Sequence, residues 1–381
     1  MSDIKYRKHL LKHFGAGPVE IRELLEYTHS SFDHSHLKKI KLPLPREPHT
    51  SFWKEYLEDS KKGGVFKALR KHLPQLRFPI RKGIAASEAY RDVTLRGKPV
   101  SGVKEATGLD IHEPEDIKLL IHQSAAGPIP VLIIENRKDF VTILRALAMR
   151  NEPKEVPDSM GACMVKGYIN WERIHDYREE WESSEKGKPS EADWKKEFQR
   201  LIPQKHLYQD RFMLVSTGPY SNIPASEVEM DEDKWGEISA SIRIHHECAH
   251  YFTLRVFNSM RNNLHDEIIA DFMGIRGAIG TYRADWFYHF MGIEDYPRYR
   301  EGGRMENYCK DLSPESFKVM QGVLKNAAWS LELFDSKIAS GPGDIHEQAR
   351  LILTLSSLTL EEMASEDGVE RLRAAYKKYK R

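Results

Sequence analysis

The stretch SIRIHHECAHYFTLRVFNSMRNNLHDEIIADFMG, residues 241–274, sets three histidines within six residues around one glutamate and follows them with two acids four apart. Imidazoles and carboxylates are the side chains that bind transition metals and move protons near neutral pH. On a helix, residues four apart lie about 40° apart on one face. His246 and His250 therefore project together and can share one ion, while Glu247 stands about 100° around from His246. That offset suits Glu247 poorly as a ligand of the same ion and well as a base for a water held beside it, which is the mechanical content of His-Glu-x-x-His. A catalytic zinc site needs a third protein ligand and keeps a fourth position open. Glu267, 17 residues after His250, can supply that ligand, with Asp271 one turn further to accept the ring N–H of a ligand histidine.

The neighbours sort by the same geometry. His265 and Asp266 flank Glu267 and are the alternatives for third ligand if the helix register differs. His245 points away from His246 and reads as a helix-packing or supporting residue, with a substrate contact as the alternative. Cys248 faces the opposite side and reads as a small buried residue. The bland reading is a helix that merely contains histidines. Against it, Ile238, Ile242, His246, Ala249 and Phe252 follow one stripe, and the second acidic pair falls at usable distance on another helical pattern.

HECAH followed by EIIAD resembles the gluzincin branch of the zincin metallopeptidases, which pair His-Glu-x-x-His with a downstream Glu-x-x-x-Asp. The resemblance covers residues 246–271 and implies a bound Zn²⁺ held by His246, His250 and Glu267. It also implies Glu247 as general base and acid, Asp271 as the residue that orients a ligand histidine, and a peptide or protein substrate. The implied fold is α+β and zincin-like: a small mixed sheet packed on an active-site helix, followed by a mostly helical part. Metzincins match less well, since Thr253 and Val256 stand where they require glycine and histidine, and Cys163 lacks the context of a deformylase ligand. Gluzincins also place a Tyr, His or Arg against the oxyanion. Tyr288, His289, Tyr299 and Arg300 are the candidates, with His289 and Tyr299 preferred by position. RMENY at 304–308 is similar to an aminopeptidase Met-Glu-Asn signature but follows the histidine motif instead of preceding it, and is set aside.

The elements that must position these residues divide the chain into three expected parts. Residues 1–82 read as short helices with a proline-rich break at KLPLPREPHT, including PVEIRELLEYTHSSF and a pair interrupted at Gly63-Gly64. Residues 83–230 read as an α/β part with a small sheet: strands at IPVLIIE, GACMVKGYI and DRFMLVSTG, the last expected as an edge strand, and a helix at RKDFVTILRALAMRN. A charged stretch with a break near Gly187 to Ser190 lies between the last two strands. Residues 231–381 read as helical and carry the candidate zinc site. Asp231, Glu232 and Asp233 mark a helix start, RNN at 261–263 a turn, and SGPGD at 340–344 a break. Further helices are expected over 315–334, 345–357 and 361–379.

The composition is that of an ordinary globular protein, 40% hydrophobic and 30% charged. Three widely spaced cysteines argue against a disulfide framework and for a reducing, cytoplasmic setting. No apolar run suits a signal peptide or a membrane span. Residues 1–82 carry 18 Lys or Arg against 9 Asp or Glu, within a chain of net charge +1. Their positive charges are interleaved with acids, so a basic subdomain docked on an acidic body is favoured over nucleic-acid binding. The alternative function is an inactive or non-peptidase zincin-like binding or effector protein that uses this basic segment to hold nucleic acid or a protein partner.

Overall fold

The computed structural model describes residues 4–37, 40–185, 189–261, 263–338, 341 and 343–379. The turn and break positions expected at Gly187, Asn262, Ser340 and Pro342 lie outside the described residues. The chain is mixed α+β, with a small four-stranded sheet and many helices. It divides into two compact units, Met1–Pro45 with Ser124–Ala126 and Pro219–Arg381, and Arg46–Gln123 with Gly127–Gly218. The expected boundaries at 82 and 230 are not where the contacts divide. Residues 46–82 belong with the sheet and residues 219–230 with the late helices, so the basic first segment is not one subdomain.

Helices α1 (Ile4–His13) and α2 (Pro18–Tyr27) open the chain and belong to the helical unit. The sheet unit begins with α3 (His49–Ser60), α4 (Val65–His72) and α5 (Glu88–Arg96), with Gly64 at φ +87 between the first two. Strands β1 (Lys118–His122) and β2 (Ile129–Ile134) follow, then α6 (Arg137–Ala148), β3 (Ala162–Ile169), α7 (Trp171–Ser184), α8 (Glu191–Leu201) and β4 (Gln209–Ser216). The strand order is β1-β2-β4-β3, with β2 and β4 parallel and the other pairs antiparallel. β4 is therefore central, not the expected edge strand. Its residues Phe212 to Val215 are fully buried, as an apolar run covered on both faces requires.

Helix α6 starts where the Asn136 side chain accepts from the Lys138 and Asp139 amides, and its Phe140, Ile143, Leu144 and Leu147 form one buried face. That face meets Trp53, Leu132, Phe212 and Leu214 in the core of the sheet unit.

In the helical unit, α9 (Glu232–Phe257) is capped by Asp231, which accepts from the Asp233 and Lys234 amides. It ends at Asn258, whose left-handed backbone (φ 51) turns the chain. Asn263 then accepts from the Asp266 amide and starts α10 (Leu264–Ile279). The two helices approach closely because α10 carries glycines where they meet. A Cβ at Gly274 would stand 3.0 Å from the Ile242 carbonyl oxygen, and one at Gly277 would stand 2.4 Å from Cγ of His245. Partners on α9 run backwards as α10 advances, from His250 opposite Glu267 to His245 opposite Gly277, so the pair is antiparallel.

The remaining helices are α11 (Ala284–Met291), α12 (Met305–Tyr308), α13 (Pro314–Asp335), α14 (Ile345–Leu355), α15 (Leu360–Ala364) and α16 (Gly368–Lys378). The helix expected over 361–379 is thus two, the first started by a Thr359–Glu362 capping box. Arg276 of α10 makes a buried ion pair with Asp335 at the end of α13, and the Tyr282 amide donates to the same carboxylate at 2.7 Å. No described helix is long and apolar enough to cross a membrane.

Candidate metal centre

Among the described residues, His246, His250 and Glu267 are the one group of three potential metal ligands gathered together, with their donor atoms all within 4.8 Å of one another. The i, i+4 spacing on α9 points both imidazoles at α10, and the helix pair's close approach brings Glu267 between them. His250 Nε2 lies 3.1 Å from His246 Nε2 and 3.4 Å from Glu267 Oε1. His246 Nε2 lies 3.7 Å from Glu267 Oε2. Two nitrogens bound to one tetrahedral zinc at its usual bond length stand about 3.3 Å apart. The three observed separations bracket that value.

Asp271, one turn beyond Glu267 and fully buried, accepts from His246 Nδ1 at 2.8 Å. The proton of neutral His246 is thereby placed on Nδ1, which leaves the Nε2 lone pair facing His250 and Glu267. The Tyr220 hydroxyl donates to the same Asp271 oxygen at 2.6 Å. Tyr220 is held in turn by its amide, which donates to Ser239 Oγ at 3.0 Å.

Arg304 closes the other side. Its Nη2 donates to Glu267 Oε2 at 3.1 Å and to Asp271 Oδ2 at 3.0 Å, and its Nη1 donates to Ser221 Oγ at 3.0 Å. Its guanidinium carbon lies 5.3 Å from the Tyr220 ring centroid and 5.9 Å from that of Tyr308.

Burial opposes the charged forms of Glu267, His250 and Asp271, and the neighbours overcome it. For Glu267, burial is outweighed by the hydrogen bond and charge of His250, with His246 and Arg304 adding, so its pKa lies well below the usual carboxylate range. For His250, burial is outweighed by Glu267, Glu247 and Asp266, which raise it to about 9. Asp271 is lowered, chiefly by Arg304 and His246 against burial. Glu247 is half-buried beside His250, and among the described residues no hydrogen bond or ion pair engages its carboxylate.

The alternatives for third ligand fall outside the cluster. His265 packs its ring 5.2 Å from that of Phe32, and burial pushes it down to about 4. Asp266 is raised to about 6 by burial and is not among the converging donors. Cys248 is buried, its thiol pushed up to about 12 by burial, as expected of a packing residue. The His245 ring lies over Gly277, which fits its packing role.

The contacts of His289 and Tyr299, the expected oxyanion residues, are with residues other than His246, His250 and Glu267. His289 Nδ1 lies 3.6 Å from Glu227 Oε2, and its carbonyl accepts from Arg300. The Tyr299 hydroxyl donates to the Gly303 carbonyl at 2.6 Å and accepts from the Glu306 amide at 3.2 Å. Tyr299 thus pins the turn that presents Arg304 and Tyr308, the two residues of the discounted RMENY segment that do reach the cluster. Tyr308 is half-buried there. Burial raises its pKa, Arg304 lowers it, and the charges of Glu267 and Asp271 raise it again. A 680 Å³ cavity of the helical unit, bordered by Arg7, His34 and Tyr379, contains no residue of the cluster.

An α+β chain whose antiparallel helix pair converges two imidazoles and a carboxylate, with Asp271 and Tyr220 behind His246 and Arg304 behind Glu267, is the setting of a candidate metal centre. The chain belongs to the family described as a family of unknown function (DUF7005), whose model matches residues 9–367. No curated protein and no solved structure matches it.

Proposed function

We propose that this protein is a zinc-dependent hydrolase, a metallopeptidase that cleaves amide bonds of peptide or protein substrates. One observation carries the reading: the donor atoms of His246, His250 and Glu267 converge at separations of 3.1, 3.4 and 3.7 Å, with Asp271 fixing the His246 tautomer. Bound there, zinc would supply Lewis acidity toward a scissile carbonyl and lower the pKa of a water. Glu247 is the residue left to move protons. It takes one from the attacking water and delivers it to the departing amine nitrogen. Tyr220 and Asp271 hold His246, and Arg304 holds Glu267 and Asp271.

The finer assignments belong to the same proposal. They are a zincin-like fold of gluzincin type, with Glu267 as third ligand, and a cytoplasmic setting consistent with three free cysteines. Hydrolysis of casein or of a mixed peptide library by the purified chain tests the activity. Glu247→Gln is expected to lower the rate about 10²–10⁴-fold while zinc remains bound. Activity equal to wild type in that variant would remove Glu247 from the mechanism.

A further inference from the structure

Two buried carboxylates four residues apart on α10, Glu267 and Asp271, have side-chain exposures of 5% and 0%. Oε1 of Glu267 lies 3.4 Å from His250 Nε2, nearer than Oε2 lies to His246 Nε2 at 3.7 Å, and Oδ1 of Asp271 accepts from His246 and Tyr220. The other oxygen of each, Oε2 and Oδ2, meets a single guanidinium nitrogen, Nη2 of Arg304. Burying charge in this way is costly unless it is paired with good geometry, and the guanidinium fork provides that where an ammonium does not.

Arg304 is itself placed with care. Its Nη1 is anchored on Ser221, whose backbone adopts a left-handed conformation (φ 55). Its own amide donates to the Phe290 carbonyl at 3.2 Å. The preceding Gly303 lies against Gly292, and a Cβ on Gly303 would stand 2.6 Å from the Met291 carbonyl oxygen. Tyr299 pins the same turn from the other side. Four separate contacts therefore aim one arginine at Glu267 Oε2, which it approaches more closely than the 3.7 Å from that oxygen to His246 Nε2, and at Asp271 Oδ2.

We propose that Arg304 is the positioning residue of the metal centre: by occupying Glu267 Oε2 and Asp271 Oδ2 it leaves Glu267 to bind zinc through one oxygen and locks the Asp271–His246 pair that orients the second ligand. The proposal rests on the zinc reading given above and concerns how the site is held, not which residues bind. Arg304 acts through Glu267 and Asp271.

The test measures affinity for Zn²⁺ by chelator competition and the visible absorption of the Co²⁺-substituted protein, in wild type, Arg304→Met, Arg304→Lys and Ser221→Ala. Arg304→Met is expected to bind Zn²⁺ about 10–100-fold more weakly, as loss of groups supporting metal ligands does elsewhere. Its Co²⁺ spectrum is expected to lose intensity as Glu267 turns both oxygens to the ion and coordination number rises. Arg304→Lys is expected not to restore either property, because one ammonium cannot hold Ser221 and both carboxylates in the same geometry. Ser221→Ala keeps the guanidinium and removes one anchor, so a smaller loss of affinity is expected.

Wild-type affinity and an unaltered Co²⁺ spectrum in Arg304→Met, or full rescue by Arg304→Lys, would overturn the proposal and leave the zinc reading standing. Should Arg304→Met not fold, Ser221→Ala decides: weaker Zn²⁺ binding supports the proposal and unchanged binding overturns it. A wild-type chain that binds no Zn²⁺ overturns both.

Discussion

Asp210 in the sheet unit and Glu267 in the helical unit are both buried carboxylates, and their surroundings differ in kind. Asp210 meets donors throughout: Arg173 Nη1 at 2.7 Å, Asn170 Nδ2 at 2.8 Å and Trp53 Nε1 at 2.9 Å. Arg173 also donates from Nη1 to the Gln209 carbonyl and from Nη2 to that of His206. Such a network is complete in itself and serves packing. Around Glu267, by contrast, the Nε2 atoms of two histidines face each other at 3.1 Å, and Asp271 already fixes the proton of one of them on Nδ1. Lone pairs directed at one point call for a cation, either a proton on His250 or a metal ion. Buried polar groups that answer one another mark structure, whereas two carboxylates sharing the one Arg304 guanidinium beside two facing imidazole nitrogens have room for a further cation and mark a site.

The sharpest way to break this contrast is to remove Asp210. Asp210→Ala strands the Arg173 charge in the core and is expected to cost about 3–5 kcal/mol in a urea titration while leaving zinc stoichiometry untouched. A stable variant with altered zinc content would show that the division between structural and site networks is drawn wrongly.

Next in size is a pH effect that separates two buried histidines. Burial pushes His49 of the sheet unit down to about 4, whereas its partners raise His250 to about 9. A folded-state pKa below the unfolded value of about 6.5 means that the contribution of neutral His49 is fully present above that pH and is lost as the pH falls toward 4. The loss is about 3 kcal/mol. Stability measured across that window should fall more steeply in wild type than in His49→Gln, and parallel curves would contradict the assignment.

A smaller effect is expected at the helix contact itself. Gly274→Ala presses a methyl on the Ile242 carbonyl and, at 3.4 Å, on the His246 Cβ. The strain should cost about 1–3 kcal/mol. Zinc affinity should fall with it, since the same contact sets the spacing of the ligands. Unchanged stability and affinity would mean that the pair has room to spread.

The sequence allowed the converging side chains of His246, His250 and Glu267 to be picked out because the information was local. His246 and His250, and Glu267 and Asp271, are i, i+4 pairs, and Asp231 starts the first helix by ordinary capping chemistry, whereas its end at Asn258 comes before the turn expected at 261–263. Strands β2, β3 and β4 were equally legible as apolar runs. β1, Lys118–His122, was not, since five residues with charged or polar ends give no clear period. Central placement of β4 depends on pairing, which no single strand reveals.

Tyr220, Arg304 and Tyr308 were missed because each reaches the cluster by tertiary contact, Arg304 from 37 residues beyond Glu267. The order of RMENY relative to HECAH counted against that segment, yet order along the chain does not limit which side chains meet. The signal that would have found Arg304 was physical: two acids expected on a buried helix face require a cation, and arginine is the usual one.

The most direct test of the central claim is the zinc content of the full chain purified without chelators. Elemental analysis is expected to give close to one zinc per wild-type chain and close to none in His246→Ala or His250→Ala. A folded wild-type chain that remains without zinc after incubation with Zn²⁺ would contradict the account and assign the cluster to a protonated His250 paired with Glu267.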